Sequence, residues 1–203
     1  MSMNANMSQN LIKALFMAAL MVATSVGATT IYDNLGNPAS GTGSVFNSGP
    51  LYDSFTTPGA ADTLNGLELA LSGSGAAGTL TVGLYSAPGA LIATLGTIDE
   101  TTISSGVHDY VLALSSNPLL AANTRYWIGL SDLGGASWAW SAGGGVGVAG
   151  EFFASRYGTF PNAYGPFMMK VDYDPRGLPD AGSTASLLGI AVAALAGLRR
   201  KLV

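Results

Sequence analysis

The single histidine of this 203-residue chain, His108, stands beside Asp109, and the chain contains no cysteine. A nucleophilic triad needs a base, an orienting acid and a serine brought to one point. Adjacent residues of a strand point to opposite faces, so His108 and Asp109 are poorly placed to act as base and orienter. No Gly-x-Ser-x-Gly elbow accompanies them in the body of the chain. One histidine without cysteine also leaves zinc chemistry short of ligands. Two carboxylate pairs have other chemistry available. Asp99 and Glu100 are adjacent near a strand end, and paired carboxylates can cleave glycosides at a suitable separation. Asp172 and Asp174 flank Tyr173 and offer the hard oxygens that calcium takes, with no further motif around them. Sugar rings stack on exposed aromatic faces, and Trp127, Trp138 and Trp140 are candidates for such glycan contact. Trp138 and Trp140 share a face of "ASWAWS" beside a glycine-rich loop, although large aromatics in sandwiches more often serve the core. The expectation is no catalytic residue, no cofactor and no metal beyond the weak calcium candidate; a glycoside-acting enzyme ranks last.

The elements that must position these residues are strands. From Thr29 onward, short alternating runs are separated by Gly, Pro, Asn and Ser. "TLNGLELALSG" sets Leu67, Leu69 and Leu71 on one face, and "GTLTVGLYSAPG" does the same with Leu80, Val82 and Leu84. Pro88-Gly89 predicts a hairpin turn into "ALIATLG". "VHDYVLAL" alternates through His108, Tyr110, Leu112 and Leu114; "NTRYWIGLS" turns Tyr126, Ile128 and Leu130 inward. "PFMMKVDYD" aligns Phe167, Met169, Val171 and Tyr173. Eight to ten such strands predict an all-β, antiparallel, jelly-roll-like sandwich. The stretches at 72–78 and 141–150 read as loops too rich in glycine to order themselves.

Charge and the two ends concern location. Residues 29–176 carry 11 acidic residues against 4 basic ones. That excess argues against nucleic acid, whose phosphates require a basic face. At the start, Lys13 precedes an apolar stretch from Ala14 to Val22, and small residues run to Val26-Gly27-Ala28. This is the pattern of a secretory signal peptide over residues 1–28, cut between Ala28 and Thr29; a buried helix is the alternative. The body then spans 29–173, with a linker at 174–177. An exported chain without cysteine relies on its core, and about 145 residues suffice for one.

The end, residues 178–203, has three parts. Leu178, Pro179, Asp180, Ala181 and Gly182 come first; Pro and Gly interrupt helix and leave the stretch extended. Thr184 to Leu198 is then uncharged over 15 residues. As a helix it measures about 22 Å, short of the roughly 30 Å hydrocarbon core. It therefore suits a temporary tether, with an ordinary single-span anchor as the alternative. Arg199, Arg200 and Lys201 close the chain and favour the cytoplasmic side.

This ordered ending resembles the PEP-CTERM sorting signals of Gram-negative, exopolysaccharide-making bacteria, most closely the variant reading Val-Pro-Asp-Ser-Gly. Pro179, Asp180 and Gly182 match, while Leu178 and Ala181 depart conservatively. The resemblance implies export through the secretion machinery and an inner-membrane-tethered intermediate. It further implies cutting by an exosortase and delivery to the outer surface or extracellular matrix. The body in turn resembles extracellular modules of the choice-of-anchor type. The matching motifs are Tyr32-Asp33-Asn34, Ser54 to Thr57, Val82 to Gly89 and Leu120 to Leu130. That likeness implies the sandwich fold and the exported setting and brings no activity. The expected protein is a non-catalytic surface or matrix sandwich, with a module that binds exopolysaccharide as the alternative.

Overall fold

A computed structural model of the chain describes residues 28–59, 62–132 and 134–174. The expected signal peptide, the linker beyond Asp174, the motif Leu178 to Gly182, the expected hydrophobic helix and the basic tail lie outside the described residues. Thirteen strands are present among the described residues: β1 (Thr29–Asp33), β2 (Ala39–Ser44), β3 (Leu51–Thr56), β4 (Asp62–Ser72), β5 (Thr79–Ala87), β6 (Ala90–Asp99), β7 (His108–Val111), β8 (Leu119–Leu120), β9 (Arg125–Ser131), β10 (Ser137–Ser141), β11 (Phe152–Ser155), β12 (Gly158–Pro161) and β13 (Met169–Asp174). One short helix, α1 (Val45–Ser48), and two 3-10 turns, Glu100–Thr102 and Asn162–Tyr164, join them.

The strands form two antiparallel sheets. One runs β1-β13-β4-β10-β2, with β7 and β8 also along β4; the other runs β12-β11-β3-β9-β5-β6. Each sheet lends one face to a shared core, so the body is an all-β sandwich. Leu67, Leu69 and Leu71 of β4 bury against Leu80, Val82 and Leu84 of β5 and against Ile128 and Leu130 of β9. Met169 and Val171 complete the layer from β13. Complete burial of each such side chain contributes roughly 1.5–3 kcal/mol. The period-2 expectation thus matches the observed faces. Pro88 and Gly89 turn β5 into β6, with Gly89 at φ +83, the left-handed value that the third position of a type II turn requires.

Three strands lie where no alternation predicts them. β2 reads "ASGTGS", and its pairing with β10 supplies the structure that its side chains do not. β11 and β12 form a further small hairpin at the sheet edge. The glycine loop after β10 is also ordered in the fold. Val146 exchanges backbone hydrogen bonds with Asp33, at 3.0 and 2.9 Å. A Cβ at Gly145 or Gly147 would strike the carbonyl of Asp33 or Ile31. Glycine therefore lets this segment cover the exposed edge of β1, a site that would otherwise invite pairing with another chain.

One carboxyl lies fully buried between the sheets. Asp53 projects from β3 and accepts from the Asn162 side-chain amide at 2.9 Å and from the Phe167 backbone N–H at 2.6 Å. The Tyr32 hydroxyl, from β1, donates to it at 3.4 Å, and Asn162 also donates to Tyr32 at 3.1 Å. Burial pushes the Asp53 carboxyl well above the usual carboxylate range, outweighing the hydrogen bonds that pull it down. The same burial, with Asp53 beside it, pushes the Tyr32 hydroxyl up.

Truncation by Asp53→Ala strands three polar groups and is expected to cost about 3 kcal/mol in urea denaturation. A carboxyl raised in the folded state binds more protons there than in the unfolded chain. Its stability contribution is complete below the unfolded value of about 4 and is lost as pH rises through the folded value. Asp53→Asn should remove that part of the decline. Parallel pH profiles for the two proteins above pH 4 would contradict the assignment.

Candidate functional site

The structure separates the three tryptophans. Trp138 is 0% exposed, stacks on Phe167 at 4.8 Å and donates its indole N–H to the Met168 carbonyl at 2.9 Å. It is a core residue, which corrects its reading as a glycan contact. Trp127 lies on the outer face of the second sheet but is also buried, packed with Tyr52, Tyr85 and Phe152. Glycines beneath make room for these rings: a Cβ at Gly129 would come within 2.5 Å of Tyr85 and 2.6 Å of Tyr52. Its reading as a glycan contact is corrected in the same way. Trp140 alone reaches a surface groove.

That groove follows from the composition of β2. Trp138 and Trp140 pair with Gly43 and Gly41 on the neighbouring strand. A side chain at Gly41 would meet the Trp140 ring at 2.8 Å, and one at Gly43 would meet Phe167 at 3.2 Å. With no side chains there, the end of the sandwich stays open as a groove of about 210 Å³. Trp140, Phe153 and Phe167 contribute its apolar lining, and Tyr157 and Tyr164 stand at its margin. The two tyrosines are 66% and 77% exposed. Gly165, at φ +133, lies against the other edge of Trp140. An apolar floor with hydroxyls at its rim suits a ligand having both C–H faces and polar edges. The "RYGTFPNAYG" stretch that supplies the tyrosines carries no strand-like alternation; its only sequence signal is the density of aromatics.

The charged candidates sit apart. His108 is exposed on β7, with Nε2 3.3 Å from the Ser105 carbonyl oxygen. Asp99 is exposed and caps the following 3-10 turn, accepting from the Thr101 N–H and hydroxyl at 3.0 and 2.7 Å. Those bonds hold its carboxyl below the usual range. Glu100 turns inward instead, and burial with Asp132 nearby pushes its carboxyl up. The adjacent pair therefore does not share a cleft. Asp172 accepts from the Thr30 hydroxyl at 2.6 Å and pairs with Lys170 at 3.2 Å, so a protein cation already neutralises this calcium candidate. Asp174 is the last residue of β13.

The stretches Tyr32-Asp33-Asn34, Ser54 to Thr57 and Leu120 to Leu130 serve the fold. Asn34 donates to the Phe167 carbonyl and accepts from the Met169 N–H, at 3.0 and 2.8 Å. Ser54 and Thr56 donate to Glu151, which also pairs with Arg125 at 2.9 Å. The Tyr126 hydroxyl accepts from the Ala121 N–H at 2.8 Å.

The two neighbouring tryptophans should respond differently to truncation. Trp138→Ala is expected to lose about 3–5 kcal/mol in urea denaturation, whereas half-buried Trp140→Ala loses about 1–2 kcal/mol. Equal losses would contradict the separation of core from groove.

No curated protein matches the chain. A family model, the VPDSG-CTERM motif, matches residues 179–202. The match starts at Pro179, directly after the conservative departure at Leu178, and takes in Asp180, Gly182, the apolar run and all three terminal basic residues. Such a signal supports export and surface association through an exosortase-type system. The C terminus of this chain therefore carries a VPDSG-CTERM motif, a sorting signal of the PEP-CTERM type.

Proposed function

We propose that the protein is a non-enzymatic sandwich exported to the cell surface or extracellular matrix of a Gram-negative bacterium. The match of residues 179–202 to the sorting motif carries this reading. In it, a signal peptide is removed after Ala28 and the body crosses into the periplasm. Thr184 to Leu198 then holds the intermediate in the inner membrane, with Arg199 to Lys201 on the cytoplasmic side. Pro179, Asp180 and Gly182 present the site at which an exosortase-type enzyme acts. Expressed in the native cells, a Pro179→Ala/Asp180→Ala variant should stay in the inner-membrane fraction while the unaltered protein reaches the surface. Equal delivery of both would overturn this role for the motif.

A second reading has its own support in the groove. Trp140 at the floor and Tyr157 and Tyr164 at the rim suit a sugar chain, whose C–H faces stack on aromatic rings while its hydroxyls meet the edge. Exopolysaccharide is then the ligand, bound without turnover. Retention on the cells' own polysaccharide should fall at least tenfold in a Trp140→Ala/Tyr164→Ala variant. Unchanged retention, or none by the unaltered protein, would remove this reading and leave the sorting role intact.

A further inference from the structure

We infer that Glu100 and Asp132 form a calcium site where three segments meet: the loop before β5, the turn after β6 and the loop after β9. Glu100 is 1% exposed. Its Oε2 accepts from the backbone N–H groups of Gly135 and Ala136, at 2.6 and 3.1 Å. Asp132 accepts from Gly134 N–H through Oδ1 and from Ala136 N–H through Oδ2, the latter at 3.0 Å. One N–H thus draws an oxygen of each carboxylate to itself, which brings two like charges together.

The remaining oxygen, Glu100 Oε1, is buried and receives no hydrogen bond among the described residues. It lies in a cradle of glycines: a Cβ at Gly78 would stand 2.7 Å from it and one at Gly134 2.9 Å. Neither carboxylate has an ion-pair partner among the described residues; the ion pairs there use Arg125 with Glu151 and Lys170 with Asp172. A buried oxygen without a donor, on a carboxylate that shares the Ala136 N–H with a second carboxylate, lacks a positive charge. Arginine and lysine of the described residues do not supply it; a small cation fits, taking the place of the proton that burial and Asp132 favour on Glu100.

The donor set selects the ion. All atoms on offer are oxygens, which favours a hard cation over zinc or copper. Asp132 also lines a surface depression of about 290 Å³ with Thr79, Thr81 and Ser131. Their hydroxyls and water can complete the six to eight oxygens that calcium takes. Two carboxylates make a weak site of the extracellular class, with Kd on the order of 10⁻⁴–10⁻³ M. This inference does not depend on the sorting role or on polysaccharide binding.

Calorimetric titration of calcium chloride into the full-length protein, stripped with chelator and held in mild detergent, tests it. One ion per chain is expected, and tenfold excess over Kd should raise Tm by roughly 2–6 °C. Asp132→Asn and Glu100→Gln should each weaken binding at least tenfold. Absence of binding by the unaltered protein up to 10 times the upper Kd of about 10⁻³ M would overturn the site, whatever the variants do. A Tm rise matched by sodium chloride of equal ionic strength, or calcium affinity unchanged in a folded Asp132→Asn variant, would overturn it as well.

Discussion

The fold depends on a polar tie made where a sandwich is normally apolar. Asp53 sits on one sheet, and the Tyr32 hydroxyl that meets it comes from the other. Its remaining partners, Asn162 and the Phe167 N–H, lie on the chain segment that leads into β13. A chain without cysteine has no covalent link between its sheets. This cluster fixes instead how the last strand enters the first sheet, and with it the position of Phe167. Phe167 then stacks on Trp138 and borders the groove. Burial of the carboxyl is costly, and protonation lessens that cost, which is why its ionisation is displaced upward. Specific placement rather than net stability is the physical reason to keep such a group between sheets.

Glycine does opposite things in different parts of this molecule. In β2 it withholds side chains, so that Trp140 lies across bare backbone and the rim of the sandwich stays open. Under Tyr52 and Tyr85 it lets two rings, packed edge to face, come close to the backbone of the second sheet. Beside β1 it lets a loop approach closely enough to hydrogen-bond with an edge strand. Around Glu100 it leaves room for a carboxylate. A high glycine content is therefore not equivalent to loose structure: the contacts that order these stretches come from elsewhere in the chain.

That distinction governs what could be read from the sequence. Leu67, Leu69 and Leu71 alternate because a half-buried strand demands period 2, and they bury as expected. Pro88-Gly89 is equally legible, since its backbone preferences act locally. β2 is not legible, because its pairing with β10 is made across about a hundred residues and its own side chains say little. The buried role of Asp53 depends on partners more than 100 positions away. Trp138 and Trp140 share a face, as alternation requires, yet one is core and the other borders a groove. Only the glycines opposite and the tyrosines from β11 onward make that difference. The pairing of Glu100 with Asp132 rather than with Asp99 likewise arises from loops that meet only in the folded chain.

The C-terminal end of the chain is legible for another reason: a sorting signal is a short linear pattern, so no tertiary contact is needed. The ordered sequence of motif, apolar run and basic tail matches the VPDSG-CTERM signal over residues 179–202. The sandwich is then the cargo of that signal. The most direct test of this account is the intact mass of the protein recovered from the surface or matrix of native cells. A chain that begins at Thr29 and lacks the segment after Pro179 to Gly182 is the predicted result. Full-length protein ending at Val203 in that final location would contradict it.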